Sequence, residues 1–229
     1  MMKLRSYGIV IISLLILLGS CFTAAATSIT DGTGDVWHWA NAGTTWSWVG
    51  NVGNKPNIDI TEVSYKVNQD KITLSLKVSG AIQTSDKIFY WVFYNSTDTQ
   101  YWLSYTNGSG SGFGIKGTDY MNITQTENVT ISGGTLSVVL DVLGDTSKVE
   151  LWGYAAEYTT IGSETAEWWG DWAPNTKLPF TPGTGGNTDN TTSGDNTSGN
   201  NTGTKTPGFE VLPLIAAVAI AAILLRRRR

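Results

Sequence analysis

Asp31-Gly32-Thr33-Gly34-Asp35 sets two carboxylates four positions apart around two glycines, residues that let a chain turn sharply. Hard cations such as calcium take about six to eight oxygen ligands, and backbone carbonyls of such a loop would supply what the carboxylates do not. The acidic density is below that of an EF-hand loop, and the same residues also serve as a plain solvated turn capping a strand. A second chemistry lies in the tryptophans. Trp37-His38-Trp39 and Trp46-Ser47-Trp48 flank the turn-prone Asn41-Ala42-Gly43-Thr44-Thr45. On paired strands Trp37 and Trp39 share one face, as do Trp46 and Trp48. A row of indoles there would stack on sugar rings, with Trp168, Trp169 and Trp172 as further members. Tyr90, Tyr94, Tyr101, Tyr105 and Tyr120 enlarge the aromatic pool. The competing use of these residues is core filling, because a β-sandwich without disulfides needs large buried side chains.

Catalysis finds little purchase. His38 is the only histidine, so a His-based metal cluster or a nucleophile–His–Asp arrangement must include it or not exist. A lone histidine between two tryptophans reads as a packed side chain. Glu164 and Glu167 beside Trp168 are carboxylates of the type that glycoside cleavage uses, but their separation is a three-dimensional quantity. The expectation is that the protein is not an enzyme and has no catalytic residues.

The elements that would position these groups are strands. Ile58, Ile60, Glu62, Ser64 and Lys66 alternate against Asp59, Thr61, Val63, Tyr65 and Val67. The turn-like Asn68-Gln69-Asp70 follows, and then Ile72, Leu74, Leu76 and Val78 alternate against Thr73, Ser75 and Lys77. Period two with one apolar face predicts a hairpin. Ile88 to Tyr94 is almost continuously apolar, as in a strand covered on both sides or carrying a functional outer face. Further strands are predicted over 101–105, 121–125, 129–132, 136–142 and 149–158, with the glycine-rich 107–114 as a loop. No window shows a helical stripe. The predicted fold is all-β: one antiparallel, jelly-roll-like sandwich over residues 27–180.

The two ends read as addresses. A basic start at Lys3 and Arg5, an apolar run from Ile9 to Leu18 and the small residues Ala24-Ala25-Ala26 make residues 1–26 a secretory signal peptide. Leu18-Gly19-Ser20-Cys21 also resembles a lipoprotein box, in which Cys21 would carry the lipid. Because Cys21 is the only cysteine, no intrachain disulfide can form. Residues 181–206 are almost wholly Gly, Asn, Thr, Ser, Asp and Pro, the composition of a disordered stalk. Its reach as a flexible coil is about 25–30 Å. Sequons for N-glycosylation stand at Asn190, Asn196 and Asn200 in the stalk and at Asn95, Asn107, Asn122 and Asn128 in the domain. Modification would place those four at exposed loop or strand-edge positions.

Residues 211–225 are apolar apart from Pro213 and precede Arg226 to Arg229. Fifteen helical residues reach about 22 Å, short of a hydrocarbon core of roughly 30 Å. The arginines would remain cytoplasmic, which places the domain outside. Pro207-Gly208-Phe209 directly before the apolar run makes residues 207–229 resemble the PGF-type C-terminal sorting signal of archaeal surface proteins. That resemblance implies an archaeosortase-type processing enzyme, removal of the tail and attachment of the new C-terminus to a membrane lipid. A retained single span is the other reading.

Residues 28–176 resemble the β-sandwich modules related to family 9 carbohydrate-binding and DOMON-like domains. The resemblance rests on the opening Asp31-Gly32-Thr33-Gly34-Asp35, Asn57-Ile58-Asp59-Ile60 with its hairpin, and Tyr101-Trp102-Leu103-Ser104-Tyr105. Leu151-Trp152-Gly153-Tyr154 and Asp171-Trp172-Ala173-Pro174-Asn175 complete it. It implies that the first loop and the closing strand lie together, so that Asp171 and Asp59 would complete a calcium site with Asp31 and Asp35. Haem ligation, known among DOMON relatives, would need His38 with Met121, the only methionine of the mature domain, and is disfavoured.

From Thr27 to Phe209 there are nine lysines, no arginine and eighteen acidic residues, a net charge of −9. Such a domain is a poor partner for nucleic acid. The expected function is a non-catalytic glycan-binding module at the outer face of the cell membrane. The alternative is a cell-envelope structural or adhesion protein, and a redox or hydrolytic enzyme ranks third.

Overall fold

A computed structural model describes residues 26–41, 46–118, 121–160 and 166–179. The stalk, the sorting signal with Pro207, Gly208 and Phe209, the span 211–225, Cys21 and the sequons Asn190, Asn196 and Asn200 lie outside these residues. So does the predicted signal peptide, except for Ala26. No helix among the described residues is long and apolar enough to cross a membrane.

Among the described residues, thirteen strands form two antiparallel sheets. They are β1 (Ala26–Thr30), β2 (Trp37–Asn41), β3 (Trp46–Asn51), β4 (Ile60–Asn68), β5 (Lys71–Val78), β6 (Ile88–Asn95) and β7 (Thr99–Thr106). Then come β8 (Ser109–Lys116), β9 (Ile123–Thr126), β10 (Val129–Ser132), β11 (Thr135–Asp141), β12 (Glu150–Tyr158) and β13 (Trp168–Ala173). One sheet has the order β1-β4-β5-β11-β10; the other is β3-β2-β13-β12-β6-β7-β8-β9. A single 3-10 turn, Asn175–Lys177, follows β13. Ala26, at the predicted end of the signal peptide, is the first residue of β1 and pairs with Lys66.

The sandwich core lies between the sheets. Val63, Tyr65, Ile72, Leu74, Leu76, Leu136, Val138 and Leu140 reach it from the five-stranded sheet. Tyr90, Val92, Tyr94, Tyr101, Leu103, Leu151 and Ala155 reach it from the other. The period-two hairpin is β4 and β5, with a change of phase. A bulge between Ile60 and Glu62 lets Ile60 and Val63, three residues apart, both point inward. Core tyrosines keep their hydroxyls satisfied at the rim: Tyr94 donates to the Thr146 carbonyl at 2.6 Å, and Tyr101 accepts from the Leu143 N–H at 2.8 Å.

The glycine-rich segment expected as a loop is a strand. β8 pairs with β7 from Lys116 opposite Thr99 to Ser109 opposite Thr106. Its glycines are a packing device. A Cβ on Gly112 would come within 2.6 Å of Val138, and one on Gly114 within 2.5 Å of Tyr101. Gly112 therefore lets the opposing sheet approach and Gly114 leaves room for a ring of the neighbouring strand, whereas composition alone reads as a turn.

Candidate functional site

The loop between β1 and β2 carries Asp31 and Asp35, and its geometry is set by Asp59. Gly34, at φ +77°, donates its N–H to both Asp59 carboxylate oxygens, at 3.0 and 3.1 Å. Ser79 Oγ also donates to Asp59, at 2.9 Å. Asp171 comes from the middle of β13 and is fully buried. Its Oδ2 accepts the Ile60 N–H at 2.6 Å and its Oδ1 accepts the Trp172 N–H at 2.8 Å. Carboxylate oxygens of Asp31, Asp35 and Asp171 all lie within 4.8 Å of one another. Asp59 stands beside this triad as the residue that shapes the loop, not as a member of it.

Three carboxylates at this spacing repel one another, and the consequences are visible. Burial pushes the Asp171 carboxyl up to about 8, with the Asp35 and Asp31 charges adding to the rise. Burial and the Asp35 charge raise Asp31 to about 6. Asn175 donates its amide to Asp35 Oδ2 at 2.8 Å and to Asp31 Oδ1 at 3.4 Å. Asp31 Oδ2 and Asp35 Oδ1 are nevertheless buried without a hydrogen-bond partner. Ligand oxygens across a calcium ion lie ~4.6–5.2 Å apart for Ca–O distances of 2.3–2.6 Å. The separation, the all-oxygen chemistry and the two orphaned oxygens fit a hard divalent cation, and a flipped Asn175 amide would turn its oxygen to the same ion.

The tryptophans form a different surface. The outer face of the eight-stranded sheet holds a second apolar cluster in which Trp91, Tyr154, Ala156, Trp168 and Trp172 are buried. Trp37, Trp39, Trp48, Phe89, Phe93, Trp102, Trp152 and Tyr158 pack on it half-buried. Strand register arranges the rings in rows. Phe113, Trp102, Phe93 and Trp152 are direct cross-strand partners through β8, β7, β6 and β12. Trp91, Tyr154 and Trp172 make the next row, and Tyr158, Trp168, Trp39 and Trp48 another. Ring contacts include Trp102–Phe113 at 4.7 Å, Tyr154–Trp172 at 5.0 Å and Tyr158–Trp168 at 5.2 Å between centroids.

The nominated tryptophans thus separate. Trp37, Trp39 and Trp48 lie in the outer cluster, half-buried; Trp168 and Trp172 are buried inside it. Trp46, on β3 opposite Asn41, is half-buried. Trp169 faces the other way, sandwiched between His38, stacked at 4.7 Å and 9°, and Lys55 Nζ at 3.8 Å. Lys55 in turn pairs with Glu157 at 2.9 Å. His38 Nε2 is buried and 4.0 Å from Glu167. Unforeseen members are Trp91, Trp102, Trp152, Phe89, Phe93 and Phe113. The signal for β6 was there: Phe89, Trp91 and Phe93 alternate with the inward Tyr90, Val92 and Tyr94.

Polar side chains border the Trp102–Phe113 end. Ser104 and Ser111, paired through their hydroxyls at 3.0 Å, continue the row of Trp91 beside Trp102 and Phe113. Gln100, next to Trp102, and Gln125, opposite Phe113, share the outer face and are exposed. Of the domain sequons, Asn107 and Asn128 are exposed, whereas Asn95 and Asn122 are half-buried. Asn107 sits at φ +50° in the β7–β8 turn.

The fold and site define an all-β sandwich with an acidic cluster where the β1–β2 loop meets β13 and an aromatic outer face. No protein-family model matches the chain, and no curated protein or solved structure matches it either.

Proposed function

We propose that the chain is an exported surface protein whose sandwich is a non-catalytic glycan-binding module. The observation that carries this is the aromatic outer face of the eight-stranded sheet. A solvent-side sheet face normally alternates to polar residues. Here it is built of rings bordered by Ser104, Ser111, Gln100 and Gln125, the combination that grips the apolar face and the hydroxyls of a sugar. Trp102 with Phe113 is the anchor of the site. Calcium at Asp31, Asp35 and Asp171 would serve as a structural clamp, since these residues join the first loop to the last strand. The acidic, arginine-free composition of residues 27–209 agrees with a neutral ligand and not with nucleic acid. In this reading the fold is jelly-roll-like, and residues 207–229 are a signal for archaeosortase-type processing that leaves the protein held by a membrane lipid on its stalk.

A glycan array probed with the full chain tests the binding, with quenching of tryptophan fluorescence as the solution readout. Absence of binding to every glycan, with no change in fluorescence, overturns it. Mass spectrometry of the mature C-terminus tests the anchor; an intact 211–225 segment would return the single-span reading.

A second reading, a cell-envelope structural or adhesion protein, is favoured by one observation. Trp91, Trp168 and Trp172 are covered by neighbouring rings, which suits a flat protein-binding face better than open stacking platforms. Concentration-dependent self-association without glycan binding would support it.

A further inference from the structure

Both sheets end on the same side of the sandwich in short strands that follow one another in sequence. β9 closes the eight-stranded sheet and β10 closes the five-stranded one. Each has four residues, Ile-Thr-Gln-Thr and Val-Thr-Ile-Ser, with no charge, no proline and no bulge in its pairing. Ile123 is 43% exposed and Ile131 41%, and Met121 precedes β9 almost fully exposed. An uncharged, regularly paired edge with exposed β-branched residues is a template onto which another chain adds a strand. Natural sheets place lysine, proline or a bulge at such edges; the described residues of β9 and β10 carry none of these, and only their four-residue length blunts them.

What the edge does carry is an acceptor sequon directly in front of each strand: Asn122-Ile123-Thr124 before β9 and Asn128-Val129-Thr130 before β10. We propose that sugars attached at Asn122 and Asn128 cap this edge and keep a second copy of the chain from pairing with it. The step is ordinary sequon chemistry. The asparagine amide nitrogen attacks C1 of a lipid-phosphate-linked glycan. The N–C1 bond forms, the C1–O bond to phosphate breaks, and the lipid phosphate departs with the electron pair while one amide proton passes to the transferase.

The two sites differ in timing. Thr130 is exposed, so the Asn128 sequon is reachable in the folded domain. Thr124 is buried and its hydroxyl bonds Asp141 on β11, accepting the backbone N–H at 3.2 Å. Attachment at Asn122 therefore precedes docking of β9. A glycan is bulky and hydrated, so two of them in front of adjacent edge strands occlude both without contacting the core. The proposal does not depend on whether the aromatic face binds sugar.

The experiment compares the full chain, purified in detergent from the cells that make it, with two variants. Asn122→Gln/Asn128→Gln removes the edge sugars, and Asn190→Gln/Asn196→Gln/Asn200→Gln removes sugars from the stalk instead. Glycopeptide masses are expected to show both edge asparagines modified. Sedimentation velocity is expected to show the wild type and the stalk variant as monomers and the edge variant as dimers or larger species. Adding Ile131→Lys to the edge variant places a charge on β10 and is expected to restore the monomer, which separates edge pairing from misfolding. An unmodified Asn122 or Asn128, a monomeric edge variant, association of the wild type or the stalk variant, or failure of the lysine to restore the monomer each overturns the proposal.

Discussion

Asp171, in the eight-stranded sheet, accepts the backbone N–H of Ile60, the first residue of β4 in the five-stranded sheet, at 2.6 Å. One side chain thus ties the last strand of the domain to its central hairpin. It does so next to Asp31 and Asp35, whose charges oppose its ionisation. That conflict makes the acidic cluster a place where pH and stability are coupled.

The pH dependence has a definite sign. Asp171 and Asp31 have folded values near 8 and 6, above the ordinary 3.8 of the unfolded chain. Both therefore hold protons more tightly in the fold, and stability is full below about 3.8 and lost as pH rises through 6 and then 8. In chelator, thermal unfolding should show a midpoint that falls between pH 5 and pH 8.5. A flat profile contradicts the cluster as described.

Calcium should reverse that trend. Protons and cation compete for the same oxygens, so its affinity rises with pH. At 100 times its dissociation constant a ligand bound only to the native state stabilises by about 2.7 kcal/mol. Calorimetry at pH 8 should show a higher midpoint with calcium than with chelator. Asp31→Asn/Asp35→Asn should abolish the increment while raising stability in chelator, because it removes the repulsion around Asp171.

Two tryptophans of the aromatic face test the proposed division between binding and support. Trp102→Ala should weaken glycan binding at least tenfold, a loss of ~1.4 kcal/mol, while the fold is retained. Trp172→Ala removes a ring only 2% exposed and should destabilise by about 3–5 kcal/mol. Denaturant titration beside binding isotherms distinguishes the two. Equal loss of stability in both variants would mean that Trp102 is only packing.

Close approach of the sheets at Gly153 gives a test of the core. A Cβ there would lie 2.4 Å from Val63 and 3.2 Å from Leu76. Gly153→Ala should cost about 1–3 kcal/mol by overpacking, read from the shift of a urea midpoint.

Much of this was legible in the residues. Period-two alternation marked β4 and β5, because a strand buried on one face must alternate. The single cysteine and single histidine limited the chemistry, and Asp31 with Asp35 around two glycines marked the acidic loop. What composition could not supply was long-range placement. Gly110, Gly112 and Gly114 read as a loop because the side chains they make room for, Val129, Val138 and Tyr101, belong to other strands. Trp168, Trp169 and Trp172 read as one group, although alternation along β13 sends Trp169 to His38 and Lys55 and the others to the opposite face. Asp171 joined Asp31 and Asp35 only through a resemblance, since 136 positions separate it from Asp35. Sequence determined which residue types were present and how they alternate. Tertiary structure decided which of them meet, because a contact between distant strands depends on the order and register in which the sheets assemble.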